Sequence, residues 1–232
     1  MIQVRKSEER GHAKHGWLEA RHTFSFANYY DPRFTGFRDL LVINEDRVQA
    51  GQGFGKHPHQ DMEIITYILE GEIAHRDSTG SGSVIRSGDV QRMSAGRGVT
   101  HSEVNHSKEN QAHLLQIWIA PKEQGIEPSY EEKKFTPEEK KNHLKLIVSP
   151  SGEQGSLSIN QDAKLFSTLL DAGKEVSYDL GPTRHSWVQV VCGSIELNDQ
   201  LLRAGDGAAV SEEKRLQITA KTPAEVLLFD LP

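Results

Sequence analysis

Two pairs of side chains in this sequence have the types and spacing of metal ligands. The first is His57 and His59, in Gly53-Phe54-Gly55-Lys56-His57-Pro58-His59-Gln60-Asp61-Met62-Glu63. Residues at i and i+2 of a strand share a face, so both imidazoles can reach one ion. Pro58 points the other way and has no N–H, which restricts this strand to an edge, a bulge or a strand start. The second pair is His101 and Glu103, in Gly96-Arg97-Gly98-Val99-Thr100-His101-Ser102-Glu103-Val104-Asn105. Two strands that each turn two such groups inward supply three imidazoles and one carboxylate. Nitrogen and oxygen donors without thiolate suit Fe(II), Mn, Ni, Co, Cu or Zn. The chain holds 11 histidines, so some pairs arise by accident. Two same-face pairs bracketed by glycine turns are a stronger signal than any one His. His12, His15, His75, His106, His113, His143 and His185 are read as non-ligands.

The elements that must position these residues read as β-structure. Short apolar segments recur between Gly, Asp, Asn and Ser turns: Leu40–Ile43, Ile64–Leu69, Leu114–Ile119, Leu144–Val148, Trp187–Val191 and Val226–Phe229. That pattern predicts an all-β sandwich or barrel. One short helix is expected at Thr136-Pro137-Glu138-Glu139, with a capping Thr, Pro at the first helical position and acids in the first turn. This polar segment also reads as a link between two halves that resemble each other. Ile68-Leu69-Glu70-Gly71-Glu72-Ile73 followed by Ile85-Arg86-Ser87-Gly88-Asp89 matches Val190-Val191-Cys192-Gly193-Ser194-Ile195 followed by Leu202-Arg203-Ala204-Gly205-Asp206. Two copies of one β unit predict a duplicated barrel.

The bulk numbers limit the alternatives. The chain has 232 residues and a net charge of −6, and its basic residues are scattered. Neither nucleic acid nor an anionic membrane is an expected partner. The scatter of Lys56, Arg92 and Arg97 also disfavours a phosphate-binding isomerase. The one cysteine, Cys192, permits no internal disulfide. With an N-terminus that has no apolar signal core, this points to the cytoplasm. Cys192 ends an apolar strand and is expected to be core filler.

These residues resemble the cupin superfamily. Its first motif is seen as Gly51, His57, His59 and Glu63, and its second as Gly88, Gly96, His101 and Asn105. More narrowly, the chain resembles the pirin family and its bacterial quercetin 2,3-dioxygenase type. The resemblance runs through Arg21-His22-Thr23-Phe24-Ser25-Phe26-Ala27, Asp31-Pro32, Gly36-Phe37, His57–Glu63, Leu69-Glu70-Gly71, Met93-Ser94-Ala95-Gly96 and His101-Ser102-Glu103. The second half matches only the general cupin pattern.

The resemblance implies a bicupin: two antiparallel jelly-roll β-barrels in tandem, 1–135 with the metal and 136–232 without it. It implies one divalent ion, Fe(II) first among the candidates, held by His57, His59, His101 and Glu103. Glu63 is the competing carboxylate, since general cupins often use that place. Glu103 is favoured because its spacing pairs it with His101, leaving Glu63 to orient a ligand histidine. Counting from the matched glycines, the corresponding places in the second half fall on Asp179, Gly181, Ile218 and Ala220. The implied activity is the opening of the central ring of a flavonol such as quercetin by dioxygen, with loss of carbon monoxide and Glu103 as general base. Phe24 and Phe26 are candidates for the pocket wall, although core packing would explain either. The resemblance also carries an alternative, an iron-dependent redox regulator acting through protein partners.

Overall fold

A computed structural model describes residues 1–232. It is all-β apart from single turns of helix, and its contacts divide it into two compact units. One comprises Gly11–Lys134 with Leu157–Gln161. The other comprises Met1–Arg10, Phe135–Ser156 and Asp162–Pro232. The first is built on a seven-stranded and a four-stranded sheet, and the second on six strands of another seven-stranded sheet and a four-stranded one. All six apolar segments singled out above lie within or overlap strands. The expected helix spans Pro137–Lys140, and its capping box is formed: the Thr136 N–H donates to Glu139 Oε2 at 2.9 Å.

In the unit that carries the histidine pairs, the four-stranded sheet runs Gly53–His59, Val99–Asn105, Glu72–Asp77, Gly82–Arg86. Gly53–His59 is therefore an edge strand, as Pro58 requires. The seven-stranded sheet centres on Glu63–Glu70, Ala112–Ile119 and Leu40–Val48. Strand alternation does the sorting. In Val99–Asn105 every odd-numbered residue is buried and every even one half-exposed. Leu18, Ala20, Val48, Ile68, Ala112 and Leu114 of one sheet meet Ile73 and Ile85 of the other in a dry core. Burying such side chains contributes roughly 1.5–3 kcal/mol each.

The duplication is visible in the backbone. Gly71 and Gly193 both adopt φ of 75°, and Gly88 and Gly205 lie at 89° and 82°. A Cβ on Gly71 would sit 2.9 Å from the Gln111 carbonyl oxygen, and one on Gly193 2.1 Å from that of Pro223. Each glycine closes the same hairpin against the same neighbouring strand, where no side chain fits. Register then identifies corresponding positions. Ile73 pairs with Asn105, and its counterpart Ile195 pairs with Ala220. The places of Glu103 and His101 are therefore Ile218 and Leu216, two residues before those reached by counting. Across the strand pair, His57 faces His101 while Tyr178 faces Leu216. Counting failed because the second-half loops differ in length, whereas hydrogen-bonded register is insensitive to loops. Leu216, Ile218 and Leu197 are fully buried in an apolar cluster.

Cys192 departs from expectation: it is exposed. A bulge between Val190 and Cys192 breaks the strand's alternation and turns its last residue out of the core.

Candidate metal centre

His57 and His101 are directly opposite each other in the antiparallel pair formed by Gly53–His59 and Val99–Asn105. The pairing slips between His101 and Glu103, so the edge strand bulges where the ligand-type residues are presented. Gly53 permits this approach: a Cβ there would lie 2.2 Å from the Glu103 carbonyl oxygen.

The three imidazoles form a near-equilateral cluster. Ring centroids are 4.4 Å apart for His57–His101 and 4.8 Å for both His57–His59 and His59–His101. One nitrogen from each ring lies within 4.8 Å of the others. Their second nitrogens are partly accounted for. His57 Nδ1 is 2.8 Å from the Gly55 carbonyl oxygen, to which it donates, leaving the Nε2 lone pair free. His101 is 1% exposed, and its Nε2 has no hydrogen-bond partner. A buried polar atom left without a partner is costly unless a ligand completes it. Burial and the neighbouring imidazoles push His59 down to about 4 and His101 down to about 3. Both rings are neutral at pH 7, the state that binds metal. The orphaned nitrogen, the fixed tautomer of His57 and the convergence of three imidazoles fit a divalent metal ion, and the triad is a metal site.

Glu103 sits beside His101. Its carboxylate accepts from Gln116 Nε2 at 2.8 Å and from Thr66 Oγ1 at 3.2 Å, and a carboxylate oxygen lies within 4.8 Å of ligand-type nitrogens of His101 and His75. Glu63 does not orient a ligand histidine. Its strand pairs it with Ser94, whose hydroxyl donates to Glu63 Oε2 at 2.7 Å, and Arg92 faces the same carboxyl. The Gln60–Met62 turn, with Asp61 at φ 47°, carries the chain from the edge of one sheet into the other before Glu63 is reached. Asn105 of the second motif holds a turn: its amide donates to the Val48 and Asn110 carbonyls.

Other residues reach the site from the seven-stranded sheet. Trp118 packs edge-on against His59, at 4.9 Å and 86°, and Phe26 packs edge-on against Trp118, at 5.3 Å and 84°. Phe26 thus belongs to the aromatic wall beside the triad, while Phe24 is 1% exposed and packs in the core. Sequence reasoning missed His75. Its Nδ1 lies 3.3 Å from His101 Nδ1 and its Nε2 3.1 Å from Asp77 Oδ2. The available signal was the spacing of His75 and Asp77, two residues apart on one strand and so on one face.

Comparison with known proteins agrees with this architecture. Residues 3–119 match the Pirin family model, and residues 146–231 match the model described as quercetinase C-terminal cupin domain. The chain is 48% identical over 232 residues to a quercetin 2,3-dioxygenase of Escherichia coli (strain K12), covering 100% of this chain and 99% of that protein. It is 40% identical to a pirin-like protein of Caulobacter vibrioides, covering 99% of each. The crystal structure of the bacterial pirin YhhW from Escherichia coli in complex with nickel(II) superposes with a TM-score of 0.96 at 47% identity, over 100% of this chain and 99% of that one. The duplicated cupin fold, the inward-facing histidine triad and these full-length similarities place the chain in the pirin family of cupin proteins.

Proposed function

We propose that this protein is a metal-dependent dioxygenase that opens the central ring of a flavonol such as quercetin with dioxygen and releases carbon monoxide. The observation that carries this reading is the buried, unpartnered Nε2 of His101 within a triad of converging imidazoles. Near full-length similarity to a quercetin 2,3-dioxygenase supports the choice of reaction.

His57, His59 and His101 would hold the ion, with Glu103 as fourth ligand and Fe(II) as the ion used. A metal ion bound there would supply Lewis acidity, which favours ionisation of a flavonol 3-hydroxyl. The remaining work falls to the protein. Gln116 and Thr66 hold both oxygens of Glu103, so the carboxylate is aimed before substrate arrives. Glu103 accepts the 3-hydroxyl proton as general base. Trp118 and Phe26 offer flat apolar surface to a planar aromatic substrate. The boundary at 135/136 is proposed as the junction between the two repeats, because the matching hairpin glycines fall on either side of it.

The test is metal content by mass spectrometry with oxygen uptake on adding quercetin. One metal per chain and quercetin-dependent uptake are expected. Both should be lost in His101→Ala and kept in His185→Ala, whose ring is bound instead to Ser211 Oγ at 2.8 Å. Equal metal content in the two variants sinks the ligand assignment. Metal without uptake, after iron, nickel, copper and manganese have each been tried, would favour a redox regulator acting on protein partners.

A further inference from the structure

His75 lies outside the ligand triad, yet it is fully buried, as a structural side chain or a functional one would be. Its contacts decide between the two. On one side its Nε2 faces Asp77 Oδ2 at 3.1 Å, and on the other its Nδ1 faces Nδ1 of His101 at 3.3 Å. One ring face stacks on Tyr130, with centroids 4.9 Å apart and planes at 26°. The ring is thereby fixed in both position and rotation.

We infer that Asp77 and His75 are positioning residues that set the tautomer of His101 and so hold its Nε2 lone pair on the metal. The inference rests on reading the triad as a metal site. Asp77 is where the chain of hydrogen bonds begins. Backbone and hydroxyl donors of Thr79 and Ser81 fill its Oδ1 while His75 Nε2 faces its Oδ2, so both carboxylate oxygens are placed to accept. An ionised carboxylate can only accept, so the proton of the His75 ring is on Nε2. A neutral imidazole has one N–H, which leaves a lone pair on His75 Nδ1. The His101 proton must then be on Nδ1, donated to His75. The remaining lone pair of His101 is on Nε2, the buried atom that no protein group satisfies. Each link follows from the one before it, and the chain ends at the metal site.

The turn that follows makes Asp77 an unusually good place to reverse this chain. Asp77 Oδ1 accepts from the Thr79 N–H at 2.9 Å, the Thr79 hydroxyl at 2.6 Å and the Ser81 N–H at 3.1 Å. In Asp77→Asn those three donors keep the amide oxygen in the Oδ1 place. The NH2 group falls in the Oδ2 place, where it must donate to His75 Nε2. The His75 proton moves to Nδ1, and the His101 proton moves to Nε2, onto the atom that binds metal. The turn and the packing are both retained.

The experiment uses the full chain, 15N-labelled and stripped of metal by a chelator. Long-range 1H–15N correlation reads the tautomer of each histidine, and nickel(II) titration then gives the affinity. The wild type should show His101 as Nδ1–H. Asp77→Asn should show it as Nε2–H, with His57 still Nδ1–H on the Gly55 carbonyl as internal control and nickel affinity weaker by about 10–100-fold. His75→Phe keeps the stack on Tyr130 but removes the acceptor, and should populate both His101 tautomers. An unchanged His101 tautomer in both variants overturns the inference. So does a reversed tautomer with nickel affinity within about two-fold of wild type, and so does lost affinity without tautomer reversal. His57→Ala tests the underlying reading separately. Undiminished nickel binding there removes the triad, whereas the tautomers are read on protein that holds no metal.

Discussion

At the scale of single residues, the interior of the metal-bearing unit is strongly polar for a β-fold core. Glu103, Thr66, Gln116 and Gln91 form a connected hydrogen-bonded set, and Asp46 lies among the buried groups with one carboxylate oxygen unsatisfied. Burial, then the charges of Glu103 and Glu45, push Asp46 up to about 7, well above the ordinary aspartate value of about 3.8. Between these two values the folded protein keeps a proton that the unfolded chain has released. Stability therefore falls as pH rises through that window, and the whole cost is present above pH 7. Asp46→Asn removes the ionisable group while keeping its size. Urea unfolding of metal-free protein should show the variant more stable at pH 8 by about 2–4 kcal/mol, with the gain vanishing near pH 4. A gain of equal size at both pH values would mean that ionisation of Asp46 is not its source.

At the scale of elements, the same hairpin glycine occurs in both halves under different constraint. Replacing Gly71 by Ala imposes a positive φ on an L-residue, a cost of about 1–2 kcal/mol, and brings a methyl to 2.9 Å from a backbone oxygen. Gly193→Ala pays the same backbone cost and adds a contact of 2.1 Å to the Pro223 carbonyl oxygen, which cannot be met without moving a strand. Gly193→Ala should consequently lower the urea midpoint by more than Gly71→Ala does. The reverse order would mean that the strand beside Gly193 yields more easily than that beside Gly71. Strand identity itself was legible in the sequence, because apolar alternation and turn residues are local. The bulge that exposes Cys192 was not: a bulge depends on how two strands of unlike sequence are paired.

At the scale of the whole molecule, a metal that binds only the folded chain must stabilise it. Nickel(II) at 100 times its dissociation constant should add about 2.7 kcal/mol to the stability of the wild type and raise its thermal midpoint. His57→Ala should show no such rise, and a rise equal to that of wild type would place the nickel elsewhere. The family signature, the two pairs of ligand-type residues and the duplicated hairpins could be read along the chain, because each depends on spacing within one or two strands. That His57 and His59 share one face, as His101 and Glu103 do, was legible for the same reason: i, i+2 spacing sets a shared face whatever the strand pairs with. Which strands lie opposite was not encoded at that range. Register brought His75 of a different strand against His101, carried Glu63 into the other sheet toward Ser94, and put Leu216 and Ile218 in the places that counting gave to Ile218 and Ala220. These are long-range pairings, fixed only when two sheets close over a common core, and they decide which side chains stand against His59 and His101.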